Sequence, residues 1–305
     1  MLDHSSRDLS RAILQTVAYS DLFDYPLSAR EIHRYLTGIK ASLEEVVRAL
    51  REDGVVGQTD SYFTLHGREE IVRIRMQRVF HSSLLLPSAI AYGRMLGNLP
   101  YIRMVALTGS LAVMNVSGNP DFDYMLVTTP GRLWIARAFA LALNRLARLQ
   151  GYTLCPNLLV SELALEWPEK DLYSARELCQ MIPIAGFDTY RRLLQVNRWI
   201  ERFLPNAYAE LEKTLPAVGK PAGAFQALLE FVLLGNFGSR FEQWEMNRKI
   251  ARFSKQAGFG EETVFTAEVC QGNFHHHRKW TREMFENKLS VLEKESAVTF
   301  KVTVT

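Results

Sequence analysis

The chain has 305 residues, of which 48% are hydrophobic and 23% charged, with a formal net charge of +3. That composition supports a sizeable core and two or three domains, and it excludes both a disordered chain and a nucleic-acid binder of the highly basic type. Cys155, Cys179 and Cys270 stand far apart beside apolar residues, with no Cys-x-x-Cys, so they read as reduced, partly buried thiols.

Residues 1–80 read as a helical unit closed by a small hairpin. A helix opening at Ser6 or Arg7 carries Leu9, Ile13, Leu14 and Val17. Ser28-Ala29-Arg30-Glu31 and Ser42-Leu43-Glu44-Glu45 each place Ser at an N-cap with Glu three residues on, the capping-box pattern. Gly54 to Leu65 then predicts two short strands around a polar turn. Three helices and a hairpin in this order resemble a winged helix-turn-helix domain, whose third helix commonly reads the DNA major groove. The corresponding helix here, Leu43 to Glu52, offers Arg48 and Arg51 against Glu44, Glu45 and Glu52, and residues 1–80 hold 11 Lys plus Arg against 12 Asp plus Glu. Counterion-release binding needs a basic face, so a packing or protein-partner role is the better expectation than DNA binding.

Arg68 to Phe80 and Leu85 to Leu96 predict helices punctuated by Pro87 and Pro100, with 81–100 linking to the next unit. Residues 101–189 form the expected core: strands 102–107 and 122–128, a helix from Arg132 to Gln150, and a strand region 152–162. On the helix, Ile135, Phe139, Ala142, Leu143, Leu146 and Leu149 make an apolar face, opposite Arg137, Asn144, Arg145 and Arg148. That opposite face is a solvated surface or a phosphate or RNA contact.

The chemistry lies between the first two strands. Leu107-Thr108-Gly109-Ser110 ends an apolar run at a small-residue turn, where backbone N–H groups and the Ser110 hydroxyl converge on a position suited to phosphate. After ten residues come Asp121-Phe122-Asp123 at the start of the second strand; period-two alternation puts both aspartates on one face and Phe122 in the core. A same-face acid pair suits a hard divalent cation and phosphoryl or nucleotidyl transfer. The conjunction resembles the signature of the DNA polymerase β-like nucleotidyltransferase superfamily, in which a Gly-Ser or Gly-Gly is followed by about ten residues, Asp-x-Asp or Asp-x-Glu, and a third carboxylate on a later strand. The resemblance implies an α+β protein with a mixed small sheet as core. It implies that Gly109 and Ser110 bind the triphosphate of ATP or another nucleoside triphosphate, and that Asp121 and Asp123 ligate Mg²⁺ or Mn²⁺. Glu162, at the end of the Leu158 to Ser161 run, is the candidate third catalytic carboxylate; Asp171 and Glu177 are fallbacks in what reads as the start of a helix. Tyr124 stands where the superfamily often has a smaller aliphatic residue, and Pro120 where a small polar residue is common.

Residues 190–305 read as a helical C-terminal domain, with helices over 196–204, 222–234 and 237–253 separated by Pro205, Pro216 and Pro221. His275-His276-His277 lacks partners at zinc-site spacing and reads as structural or surface histidine. Trp244 and Trp280 read as core, and the tail 297–305 alternates like a strand. The apolar stretches 133–149 and 224–234 are interrupted by polar residues, so they predict buried amphipathic helices and no membrane span. No signal-peptide pattern opens the chain, so a cytoplasmic location is expected. The function expected is metal-dependent transfer of a nucleoside monophosphate to an acceptor that is a nucleic acid, a protein or a small molecule. The alternatives are a nucleotide-sensing winged-helix regulator or scaffold without turnover, and a toxin or antitoxin component acting by nucleotide transfer.

Overall fold

The computed structural model describes residues 4–52, 54–118, 121–214, 223–233 and 235–302. Among these it is a mixed α+β protein with twelve α-helices, one 3₁₀ helix and nine strands in two sheets.

The first unit contains α1 (His4–Asp21), β1 (Leu27–Ser28), α2 (Ala29–Arg34), α3 (Leu43–Glu52), β2 (Gly57–Thr59) and β3 (Tyr62–Thr64). Both capping boxes form: Ser28 and Glu31 exchange hydrogen bonds at the start of α2, and Ser42 and Glu45 do the same at α3. The hairpin gains a third strand, giving the antiparallel order β1-β3-β2.

Next comes α4 (Ile71–Gly97), one continuous helix where two were expected. Pro87 lies inside it. The cost of an interior proline, about 3 kcal/mol, is outweighed by packing: Ala89, Tyr92 and Leu96 are buried in the core.

The second sheet is built from β4 (Ile102–Leu107), β5 (Phe122–Thr128), β6 (Leu154–Ser161), β7 (Ile182–Ala185), β8 (Thr263–Phe265) and β9 (Val269–Gly272), in the order β7-β4-β5-β6-β9-β8. β4 is antiparallel to β5, and β5 is parallel to β6. The parallel pair needs a crossover, supplied by α6 (Leu133–Arg148). The remaining helices are α5 (Gly109–Ala112), α7 (Leu172–Gln180), α8 (Phe187–Val196), α9 (Pro205–Thr214), α10 (Ala224–Val232), α11 (Asn236–Phe253) and α12 (His277–Val302), with the 3₁₀ helix at Arg198–Arg202.

Both faces of this sheet are covered, and strand alternation divides the core in two. Val105, Leu107, Phe122, Tyr124 and Leu126 face the layer that holds α4 and α6, whereas Met104, Ala106, Met125 and Val127 face α7, α8 and α9. Asp123 shares parity with Met125 and Val127, so it belongs to the α7 side.

Several expectations are corrected. The C-terminal region is not wholly helical, because β9 pairs with β6 and β8 with β9, extending the core sheet. The stretch 196–204 is not one helix: Asn197 is fully buried, donates to the carbonyls of Leu165 and Leu193, and accepts from the Trp167 amide, which diverts the chain. Pro205 starts α9, the first-turn position where its missing N–H costs nothing; Pro216 and Pro221 lie outside the described residues. The tail through Val302 continues α12, since extending a formed helix is easy relative to nucleating a strand; residues 303–305 lie outside the described residues. Helix α10 exposes Leu228, Phe231 and Val232. It docks through its polar residues instead: Gln226 donates to the carbonyls of Leu99 and Ile102, and Glu230 pairs with Arg103 and the Tyr101 amide. Trp244 and Trp280 are exposed, Trp244 packing tilted on Phe241 and Trp280 edgewise on Phe23. Among the described residues no helix is long and apolar enough to cross a membrane.

Candidate functional site

The β4–β5 pair brings the small-residue turn onto the acid pair. Its ladder runs to Leu107 opposite Tyr124 and is continued by the Thr108 amide donating to the Asp123 carbonyl at 2.9 Å. Gly109 is therefore set over Asp123. Its φ is +67°, a region that disfavours side chains, and a Cβ there would collide with Asp123 Oδ2. Glycine is required on both counts. The turn leads into α5, a single helical turn, and Ser110 is exposed.

Asp121 is exposed, Phe122 is buried in the core, and Asp123 is half-buried. Burial is the main cause, and the Asp121 charge the second, of an Asp123 carboxyl raised to about 7. Asn157 on β6 donates to Asp123 Oδ1 at 2.7 Å, which opposes that shift. Cys155, paired with Asp123 across the parallel ladder, has its thiol pushed up to about 12 by burial and by the two aspartates. Without a cation beside it the thiol is neutral at ordinary pH.

Gly109, Ser110 and Asp123 line one cavity of about 650 Å³. Its other walls come from α1 and the turn after it (Tyr19, Phe23, Tyr25), from α7 (Tyr173, Arg176, Glu177), and from the β9–α12 segment (Asn273, His275, Arg278). That size suits a small molecule.

Glu162 is not brought to this place. Its amide donates to the Thr128 carbonyl at the far end of β5, five residues from Asp123 or about 17 Å at strand rise. Its carboxylate pairs with Arg192. The β6 residues beside Asp123 are Cys155, its ladder partner, and Asn157, which reaches it from the bulge that follows. Asp171 caps α7, accepting from the Ser174 amide at 2.8 Å. Glu177 does reach the site: it lines the cavity, and its carboxyl is raised to about 7 by burial and then by the Asp123 charge. Neither spacing nor strand pattern marks Glu177, because a helix packed across the sheet carries it there. Pro120 lies outside the described residues. Tyr124 is fully buried, and its hydroxyl donates to the Ala89 carbonyl at 2.7 Å, so its bulk is accommodated in the core away from the acid pair.

The basic face expected on α6 is divided. Arg145 and Arg148 are exposed, Asn144 is buried and accepts from the Leu154 amide, and Arg137 lies over Trp134 and Phe253. The rings of His275 and His277 stand 5.7 Å apart on the cavity wall.

Asp121 and Asp123, which form no ion pair among the described residues, are an all-oxygen donor set whose mutual repulsion a hard divalent ion relieves, so they fit Mg²⁺ or Mn²⁺. Among the described residues no group of three or more His, Cys, Asp or Glu is gathered as a metal cage. Mg²⁺ keeps several non-protein oxygens in sites that also bind phosphates, so two carboxylates suffice as protein ligands. Compared with family models, with curated proteins and with solved structures, the chain matches none.

Proposed function

We propose that the chain is a metal-dependent nucleotidyltransferase of the DNA polymerase β-like type, with a winged-helix-like unit at its N-terminal end. The observation that carries this reading is the seating of Gly109 on Asp123, which brings the small-residue turn and one acid of the pair together in one cavity. The antiparallel β4–β5 pair, the α6 crossover and the parallel β6 support it, as does the order of β1, β3 and β2 around α2 and α3 for the N-terminal unit.

In this reading the backbone of Gly109-Ser110 and the Ser110 hydroxyl orient the triphosphate, and Asp121 and Asp123 hold the divalent cation. The cation, when bound, neutralises charge on the phosphates and activates the attacking oxygen. Asn157 fixes the rotamer of Asp123, keeping one carboxylate oxygen engaged while the other faces Gly109. Glu177 is the third acid, taking the place that the family gives to a strand residue. As a carboxyl raised toward neutrality, it is suited to accept a proton from the acceptor hydroxyl. The catalysis is positioning with electrostatic stabilisation.

A second reading, a nucleotide sensor without turnover, is favoured by the uncharged Cys155 and Asn157 on β6 where a third carboxylate would stand. Calorimetry with each nucleoside triphosphate tests both. Mg²⁺-dependent binding is expected for the intact protein, with a loss of about tenfold or more in the Asp121→Ala, Asp123→Ala double variant and in Gly109→Ala. Pyrophosphate release in the presence of an acceptor distinguishes enzyme from sensor. Binding indifferent to the metal and to all three substitutions would end the first reading.

A further inference from the structure

The cavity has a second polar wall that the nucleotide site does not use. Arg176 on α7 is 4% exposed and lines the cavity. Its guanidinium lies over the rings of Tyr35 at 4.1 Å and Tyr19 at 4.9 Å, and Nη2 donates to Ser20 Oγ at 2.6 Å. Among the described residues Nε and Nη1 have no hydrogen-bond partner. The adjacent acid, Glu177, accepts from Gln180 and acts on Arg176 as a nearby charge without hydrogen-bonding to it. Among the described residues, two further side chains that line the same cavity are also unpartnered: the hydroxyl of Thr281, a residue only 1% exposed, and Trp167 Nε1.

Buried polar groups are nearly always hydrogen-bonded, and a buried cation is costly unless an acceptor meets it. Aromatic faces stabilise a guanidinium through its plane but accept nothing from its N–H edge. That edge has the fork geometry of carboxylate and phosphate recognition. Arg176 is anchored on Ser20, Tyr19 and Tyr35, all in the N-terminal unit, and not on the β4–α5 turn that would hold a triphosphate.

We propose that this wall binds the oxyanion of a second small molecule, a phosphate or carboxylate group held by Arg176 with Thr281 and Trp167 as added donors. We further assign that molecule as the acceptor of the nucleotidyl group, an assignment that rests on the nucleotidyltransferase reading. The acceptor class is then a small anionic metabolite carrying a hydroxyl, a molecule of the size that a cavity of about 650 Å³ holds.

The test uses the intact chain titrated with inorganic phosphate and, separately, with acetate, followed by calorimetry. Saturable binding of at least one is expected, weakened about tenfold or more by Arg176→Gln and several-fold by Thr281→Val. The Asp121→Ala, Asp123→Ala variant is expected to bind the anion as the parent does. Magnesium nucleotide is expected not to displace it. No binding of either anion overturns the proposal, as does binding indifferent to Arg176→Gln in a variant whose circular dichroism matches the parent. Should Arg176→Gln fail to fold, Thr281→Val and Trp167→Phe decide, and indifference to both overturns it. Displacement by magnesium nucleotide reassigns Arg176 to the triphosphate and overturns the second molecule. Arg176-dependent anion binding in a chain that binds no nucleoside triphosphate leaves the oxyanion site standing and removes the acceptor assignment together with the nucleotidyltransferase reading.

Discussion

Asp123 is held between opposing demands. Strand parity commits it to the α7 side of β5, where Glu177 also arrives; burial first, and then the Asp121 charge on Asp123 and the Asp123 charge on Glu177, raise both carboxyls to about 7. Free aspartate and glutamate titrate near 4, so between about pH 4 and 7 the native chain holds protons that the unfolded chain has released. Stability is therefore fully present below that window, falls as pH rises through it, and levels above. The slope is at most about 1.4 kcal/mol per pH unit for each group. Thermal melts of the metal-free protein should show this decline, and the Asp123→Asn, Glu177→Gln double variant should flatten it. Equal slopes in parent and variant would remove the raised pair. At this scale the site was only partly legible in the sequence. Gly109, Ser110 and the two aspartates follow from local spacing on adjacent strands. Glu177 and Arg176 do not, because their position depends on how α7 packs over the sheet, and Glu162 misleads because a strand end looks the same whichever end of the sheet it occupies.

At the scale of elements, helix α6 shows how distant segments complete one another. Its first turn has no capping side chain of its own, and Arg132 at the N-cap makes no side-chain bond to it. Glu242 on α11 supplies the cap, accepting from the Trp134 and Ile135 amides at 2.8 Å each, while itself 8% exposed. Glu242→Ala should cost about 2 kcal/mol, from two orphaned donors at a buried helix start. Glu242→Gln, which keeps one acceptor oxygen, should cost less. Chemical denaturation of the three forms checks the order, and equal midpoints would show that α11 does not cap α6. The elements that were legible are those with local signals: the capping boxes at Ser28 and Ser42, and the long apolar strands at 102–107 and 122–128. β8 and β9 were not, since three or four residues carry too little alternation, and the pairing of β9 with β6 closes a loop of about a hundred residues. Pro87 looked like a boundary because a proline weakens a helix locally, but the buried face of α4 spans it.

For the whole molecule the first and last helices meet. Asp21, at the end of α1 with a side chain 1% exposed, accepts from Arg68 Nε at 3.0 Å and also pairs with Lys288 on α12. Tyr19 and Phe285 pack edge to face at 5.3 Å beside it, and Arg11 pairs with Glu293. The same α1–α12 contact closes the cavity, and Arg176 ties α7 to it through Ser20 and Tyr19. N-terminal unit, core sheet and last helix are thus coupled through shared buried groups, and the chain should unfold in one calorimetric transition rather than as separate domains. Asp21→Ala should lower stability by about 2 kcal/mol, because it removes a buried acceptor from two cations of which Arg68 retains Asp24 and Glu70. If coupling through the cavity is real, that loss should be accompanied by weaker anion binding at Arg176, although Asp21 is not one of the residues lining the cavity. A substitution that splits the melt into two transitions would show instead that residues 1–80 fold independently and that the cavity forms only by their docking.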